Sequence, residues 1–202
     1  MKLGILFSGG KDSTYAAYLA RKEGYDLVCL VTVVSENKDS YMFQHVEEVD
    51  IEKQAEVMNL PVVFQKTKGV KEKELKDLEK AIKIAREKYH IEGLVIGALA
   101  SVYQASRVQE ICDKLDLWCF NPLWQKNQLE LLHELLKEEF KIEIVKVAAE
   151  GLDEKWVGKR IDKKAISELK KLYDKYKINV AGEGGEFETY VLDCPLFEKE
   201  VK

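Results

Sequence analysis

Short apolar runs alternate along this chain with longer stretches in which apolar residues recur at three- and four-residue spacing, the pattern of strands exchanging with helices. Lys2 to Ser8 (KLGILFS) reads as a first strand, Gly9 and Gly10 as a tight turn, and Asp12 to Glu23 as a helix capped by Asp12 or Ser13. Leu27 to Val34 (LVCLVTVV) is nearly all apolar and rich in β-branched residues, as expected of a strand covered on both faces in a parallel sheet. The spacing then predicts a helix around Val46 to Met58, a strand Val62 to Gln65, a helix Lys71 to Tyr89, a strand Leu94 to Gly97, a helix Ser106 to Leu115 and a strand Trp118 to Asn121. The longest helix is also the plainest, because Leu75, Leu78, Ile82, Ala85 and Tyr89 fall on a single stripe. Beyond Pro122 the pattern gives a helix Gln128 to Phe140, a strand Ile142 to Val147, a helix Ile166 to Tyr176 and a closing strand Tyr190 to Leu192. This alternation predicts an α/β fold with a doubly wound, mainly parallel sheet and a smaller C-terminal α+β lobe, divided near Asn121.

With 202 residues, 46% of them hydrophobic, the chain can bury one α/β core and a small lobe. It has no apolar run long enough to span a membrane and no signal-peptide pattern, so a cytoplasmic location is expected. Cys29, Cys112, Cys119 and Cys194 form no CxxC pair, which favours buried reduced thiols over a metal site or a disulfide framework. A formal net charge of −4 lacks the basic excess of a nucleic-acid binder.

The strongest chemical signal is Ser8-Gly9-Gly10-Lys11-Asp12-Ser13, lying between the first strand and the first helix. Two glycines let the backbone bend and approach an anion, the helix N-terminus points N–H groups at it, Ser8 and Ser13 offer hydroxyls, and Lys11 adds a compact positive charge. A pyrophosphate fits such a cradle. Asp12 serves either as a helix cap or as a ligand to Mg²⁺, which takes one or two carboxylates with substrate phosphates. A Walker A loop is excluded: Gly4 and Gly9 have the right gap, but Gly10 and Lys11-Asp12 follow where Lys and Ser or Thr are required.

A second constellation, Gly182-Glu183-Gly184-Gly185-Glu186-Phe187-Glu188-Thr189-Tyr190, sets three carboxylates among three glycines. Crowded carboxylates are costly unless a cation meets them, although an ordinary solvated acidic turn accounts for the pattern equally well. Tyr103, Gln104 and Arg107, just past the fourth strand, could orient a polar substrate or simply cap and pack the next helix. His45, His90 and His133 are scattered on helical segments with no nucleophile beside them in sequence.

Through SGGKDS the chain resembles the N-type ATP pyrophosphatases of the PP-loop superfamily. Within that group it is similar to the diphthine–ammonia ligase (diphthamide synthetase) family. The similarity runs through Ser40-Tyr41-Met42-Phe43, Ser101 to Cys112, Asn121-Pro122-Leu123-Trp124, Ala149 to Gly158 and Gly182 to Phe197. Relatives carry His after the Met-Phe pair where this chain has Gln44 and then His45, so neither residue is assigned a role.

The resemblance implies an adenine nucleotide alpha hydrolase-like, Rossmann-like ATP-binding domain at 1–121 and a substrate-binding lobe at 122–202. It implies that ATP adenylates the carboxylate of diphthine, a modified histidine on translation elongation factor 2, and that ammonia displaces AMP to leave the amide. Lys11, Asp12 and Ser13 are the expected catalytic residues. Ser8, Gly9, Gly10, Lys11, Asp12 and Ser13, with Thr32 and Gly97 at the ends of the second and fourth strands, are expected to bind ATP, and Asp12 to bind Mg²⁺. Tyr103, Gln104, Arg107, Glu183, Gly184, Gly185, Glu186, Phe187, Glu188 and Thr189 are expected at the substrate, with Glu183 and Glu186 facing its quaternary ammonium beside Phe187 and Tyr190. Elongation factor 2 and ammonia are the expected partners, without membrane or nucleic acid, and homo-oligomerisation is left open. With no room seen for a glutaminase domain, ammonia is expected free or from a separate protein. Two alternatives remain: a PP-loop enzyme that adenylates a tRNA base oxygen, and a nucleotide-binding sensor without chemistry.

Overall fold

The apolar runs of the first half become five strands, β1 (Lys2–Leu6), β2 (Asp26–Ser35), β3 (Val62–Thr67), β4 (Gly93–Val95) and β5 (Trp118–Phe120). All pair in parallel, in the order β3-β2-β1-β4-β5. The computed structural model describes residues 1–37 and 46–201, so the stretch from Ser40 to His45 lies outside the described residues. Two compact units are present, Met1–Trp124 and Gln125–Lys202.

In the first unit the strands are joined by α1 (Lys11–Lys22), α2 (Glu48–Met58), α3 (Glu74–Tyr89) and α4 (Val102–Lys114). Right-handed crossovers place α1 and α2 on one face of the sheet and α3 and α4 on the other, because the chain reverses its direction of travel across the sheet after β3. Leu78, Ala81, Ile82 and Ala85 of α3 share a core with Val108, Ile111 and Cys112 of α4 and with Cys29, Val31 and Val33 of β2. Strand order reverses between β1 and β4, and the carboxyl ends of those two strands flank the crevice where α/β sheets bind ligands.

Three boundaries depart from the expected ones for local reasons. Helix α1 begins at Lys11 with Gly10 as its N-cap, so Asp12 and Ser13 lie inside the first turn rather than capping it. Helix α3 begins at Glu74 because Glu72 takes a left-handed φ of 64°, which breaks the helix that Lys71 was expected to open. Helix α4 starts at Val102, ahead of the expected Ser106, on a cap in which Ser101 accepts from the Gln104 N–H at 3.3 Å. Val102 is exposed, so the first turn shows no apolar period to announce it.

The second unit contains α5 (Gln128–Lys137), β6 (Lys141–Val147), α6 (Lys163–Tyr176) and β7 (Phe187–Asp193). Strands β6 and β7 pair antiparallel, and Leu131, Leu135, Ile142, Ile144, Ile166, Leu169, Phe187 and Val191 are buried. Asn127 and Asp162 cap the two helices through backbone N–H groups. The last strand starts at Phe187 rather than Tyr190, so Phe187, Glu188 and Thr189 belong to a paired strand and not to a loop. Among the described residues no helix is long and apolar enough to cross a membrane.

Leu78 is fully buried under the sheet, and truncating it leaves a cavity in the α3–α4 core. Leu78→Ala is expected to lower the free energy of unfolding by about 3 kcal/mol in urea titration.

Candidate functional site

The chain leaves β1 at Leu6 and enters α1 at Lys11, so Ser8, Gly9 and Gly10 form the turn at the switch point of the sheet. Gly9 adopts φ of 75°, the left-handed region in which only glycine is unstrained. Gly10 caps α1 without any side-chain hydrogen bond. The N–H groups of a helix's first turn have no carbonyl ahead of them within the helix, and here no cap side chain covers them. That terminus carries partial positive charge and is shaped for an anion.

The side chains of the loop divide into two groups. Lys11 is 4% exposed, and its Nζ lies 2.8 Å from Asp12 Oδ2. The other carboxylate oxygen, Asp12 Oδ1, is buried with no hydrogen-bond partner among the described residues. A buried carboxylate oxygen left in that state is costly, and a divalent cation or one of its waters would satisfy it, so Asp12 fits a Mg²⁺ site. Ser13 Oγ lies 3.2 Å from the Gly10 carbonyl, to which it donates, and accepts from the Ser8 N–H at 3.2 Å, so the hydroxyl braces the turn from inside. Ser8 Oγ stands 3.2 Å from Ser13 Oγ.

Thr32 and Gly97 serve the loop indirectly. The Thr32 hydroxyl is fully buried and donates to the Phe7 carbonyl at 2.9 Å, so its side chain ties β2 to the exit of β1. A Cβ at Gly97 would lie 2.7 Å from the backbone C and O of Asp12 and 2.8 Å from the Ser13 N. Gly97 is therefore the place where the chain leaving β4 lets the first turn of α1 pack directly against it. Two contributors escaped the sequence reading. Thr14 Oγ1 donates to the Gly10 carbonyl at 2.9 Å, and Gln54 Nε2, from α2, donates to the Gly9 carbonyl at 3.0 Å. Thr14 was within reach of a helix-start argument, whereas Gln54 carried no local signal.

On α4 the Arg107 guanidinium is already engaged. It contacts Glu110 at 3.0 and 3.1 Å and Glu72 at 3.3 Å, and these carboxylates, Glu110 first, hold it more firmly charged. The Tyr103 ring lies between Lys71 Nζ at 4.9 Å and Arg107 Cζ at 5.5 Å, and burial followed by Glu72 raises the phenol above its ordinary pKa. Gln104 gives its backbone N–H to the Ser101 cap. This cluster ties α4 to the turn before α3, with the Arg107 fork engaged by the chain's own acids.

In the glycine-acid loop of the second unit two of the acids also meet partners within the chain. Glu186 Oε1 accepts from the Asn179 backbone N–H at 2.8 Å and from Asn179 Nδ2 at 2.7 Å, while Oε2 accepts from the Gly184 N–H at 2.7 Å. Glu186 thus organises the turn on which it sits, and because its donors are neutral amides its negative charge is not cancelled. Glu188 is paired with Lys146 at 2.8 Å across the strands. Phe187 is 2% exposed, with Gly182 against its ring, so it cannot present an aromatic face to a ligand. A Cβ at Gly184 would meet Asn179 Nδ2 and Glu186 Oε1 at 2.9 Å, which explains why glycine is required there. Glu183 is half-buried, Gly185 is exposed with φ of 82°, and Thr189 is buried within β7.

The cysteines are free, and burial pushes Cys29 and Cys194 up to about 12. The Cys112 thiol hydrogen-bonds Cys119, which raises Cys112 and lowers Cys119. No His, Cys, Asp and Glu cluster able to hold a metal is found among the described residues. His90 sits at the left-handed C-cap of α3, with φ of 54°, and His133 on α5.

Two family models cover the chain, the diphthamide synthase N-terminal domain over residues 1–118 and the diphthamide synthase C-terminal domain over residues 127–202. Similar proteins include the diphthine–ammonia ligases of Mus musculus and Homo sapiens, each 39% identical over 100% of this chain and 82% of the relative. The diphthine–ammonia ligase of Saccharomyces cerevisiae is 31% identical over 98% of this chain and 34% of that longer protein.

Two substitutions test the local geometry. Gly97→Ala drives a methyl into the Asp12 backbone and is expected to weaken inorganic pyrophosphate binding about tenfold by calorimetry, equivalent to about 1.4 kcal/mol. Glu186→Gln replaces one acceptor oxygen with an amide NH2 group that faces N–H donors. Exchange of the Asn179 and Gly184 amides should then quicken about tenfold in hydrogen-exchange mass spectrometry, as expected for losing a charge-assisted bond.

Proposed function

Because the chain belongs to the diphthamide synthase family, we propose that it amidates the carboxylate of diphthine on translation elongation factor 2 in the cytoplasm, using ATP and ammonia and releasing AMP and pyrophosphate. The match of both family domains along the chain supports the choice of substrate over the tRNA-base alternative. The observation that carries the ATP chemistry is the left-handed glycine turn that leads into α1, whose N-cap Gly10 makes no side-chain hydrogen bond.

In this reading the diphthine carboxylate oxygen attacks the α-phosphorus of ATP, and the bond to the β-phosphate breaks. Pyrophosphate departs as an acyl-adenylate forms. The nitrogen of ammonia then attacks the carbonyl carbon, AMP leaves with the bonding pair, and one proton is released. The backbone N–H groups around Gly9 and Gly10 and the Lys11 ammonium hold the departing pyrophosphate and offset the charge that develops on it. Ser8 adds a hydroxyl, and Ser13, Thr32 and Gly97 keep the cradle in shape. Asp12 Oδ1 would hold Mg²⁺, which neutralises phosphate charge when bound. In the second unit, Glu183 and Glu186 supply the negative field that suits a quaternary ammonium, with Gly184 and Gly185 allowing close approach. Tyr103, Gln104 and Arg107 are assigned to the support of the substrate region through the ion-pair cluster.

Incubating the chain with diphthine-bearing elongation factor 2, ammonia, ATP and Mg²⁺ should yield AMP, pyrophosphate and the amide in equal amounts. Lys11→Ala should lower kcat about a hundredfold. Formation of ADP, or of AMP without amide, would overturn the assignment.

A further inference from the structure

A loop that holds an anion by its N–H groups has a second requirement besides pointing them inward. Its carbonyl oxygens carry partial negative charge and must be turned away, since each one facing a pyrophosphate would repel it. In this chain the carbonyls of Phe7, Gly9 and Gly10 are each captured by a side-chain donor: Thr32 from β2, Gln54 from α2, and Thr14 with Ser13 from α1 itself. Gln54 takes the central carbonyl and comes from 45 residues further along the chain.

Its placement is hard to explain as ordinary packing. The buried face of α2 consists of Ile51, Gln54, Ala55, Val57 and Met58, and Gln54 is its polar member at 0% exposure. An apolar side chain would be cheaper there, because a buried amide costs free energy unless it is hydrogen-bonded. The amide also fits the bend itself. A Cβ at Gly9 would lie 2.5 Å from Gln54 Oε1 and 3.4 Å from its Cδ, so the space that glycine leaves open is the space the amide occupies.

We propose that Gln54 is a positioning residue for the phosphate loop: its Nε2 holds the Gly9 carbonyl away from the bound pyrophosphate and fixes the left-handed turn that aims the N–H groups of the loop inward. This rests on the reading that the loop holds the pyrophosphate end of ATP. It adds a specific consequence. Losing the amide should weaken the grip on pyrophosphate while leaving the affinity for AMP, which lacks those phosphates, unchanged.

The test is calorimetry on the full chain with inorganic pyrophosphate and AMP as separate probes. Gln54→Met keeps the length and volume of the side chain without the donor, and Gln54→Asn withdraws the amide by one methylene and serves where the Met variant does not fold. Pyrophosphate affinity is expected to fall about tenfold, as for a single buried hydrogen bond, with AMP affinity changed less than about twofold. Equal weakening of both probes, no change in either, or failure of both variants to fold would make Gln54 a plain core residue and overturn the inference. The native chain and Lys11→Ala separate the two levels. If the native chain fails to bind pyrophosphate, or Lys11→Ala binds it as well as the native chain does, the reading of the loop falls and the inference with it. If Lys11→Ala loses binding while Gln54→Met keeps it, only the role of Gln54 is rejected.

Discussion

A helix that begins directly behind a parallel strand must leave its first N–H groups without partners inside the helix, and the first unit of this chain leaves that N-terminus without a side-chain cap. Most helix starts place Ser, Thr, Asp or Asn at the cap; α4, α5 and α6 do so here through Ser101, Asn127 and Asp162. At α1 the cap is Gly10, and the hydroxyl of Ser13 donates to the Gly10 carbonyl while accepting from the Ser8 N–H. Polar side chains near the turn thus restrain the carbonyl oxygens of Phe7, Gly9 and Gly10. The neighbouring strand follows the same constraint: Gly97 omits a side chain so that the first turn of α1 can pack directly against the chain leaving β4.

The second unit applies a different rule to its acids. Three carboxylates so close in sequence repel one another, and the structure gives two of them distinct environments. Glu188 joins a cross-strand pair with Lys146, while Glu186 is wrapped by three neutral N–H bonds that settle its position without cancelling its charge. Such a carboxylate shapes the loop and still contributes a negative potential.

Surface charges elsewhere do less. Arg107, Glu110 and Glu72 form a partly exposed network beside Tyr103, and solvent screening keeps exposed pairs of this kind near 0–1 kcal/mol each. Their value lies in fixing the left-handed turn at Glu72 against the start of α4, so that both helices begin at defined places on the same side of the sheet.

Periodicity and turn chemistry, both local properties, determined the order of strands and helices, which helix stripe is buried, that the main sheet is parallel, and that a glycine turn joins the first strand to the first helix. The long stripe of α3 and the two glycines at Gly9 and Gly10 needed no distant partner to be legible. The tertiary structure alone decided what each polar side chain does once it arrives. Gln54 is unremarkable in sequence and Thr32 reads there only as a ligand contact; their bonds to the loop arise because the sheet order sets β2 and α2 beside the exit of β1. That Arg107 meets Glu72 and that Glu186 meets Asn179 is likewise visible only in the folded chain. A hydrogen bond depends on the direction and distance of both partners, and for residues far apart in the chain those are set by how the strands cross, which no local pattern records.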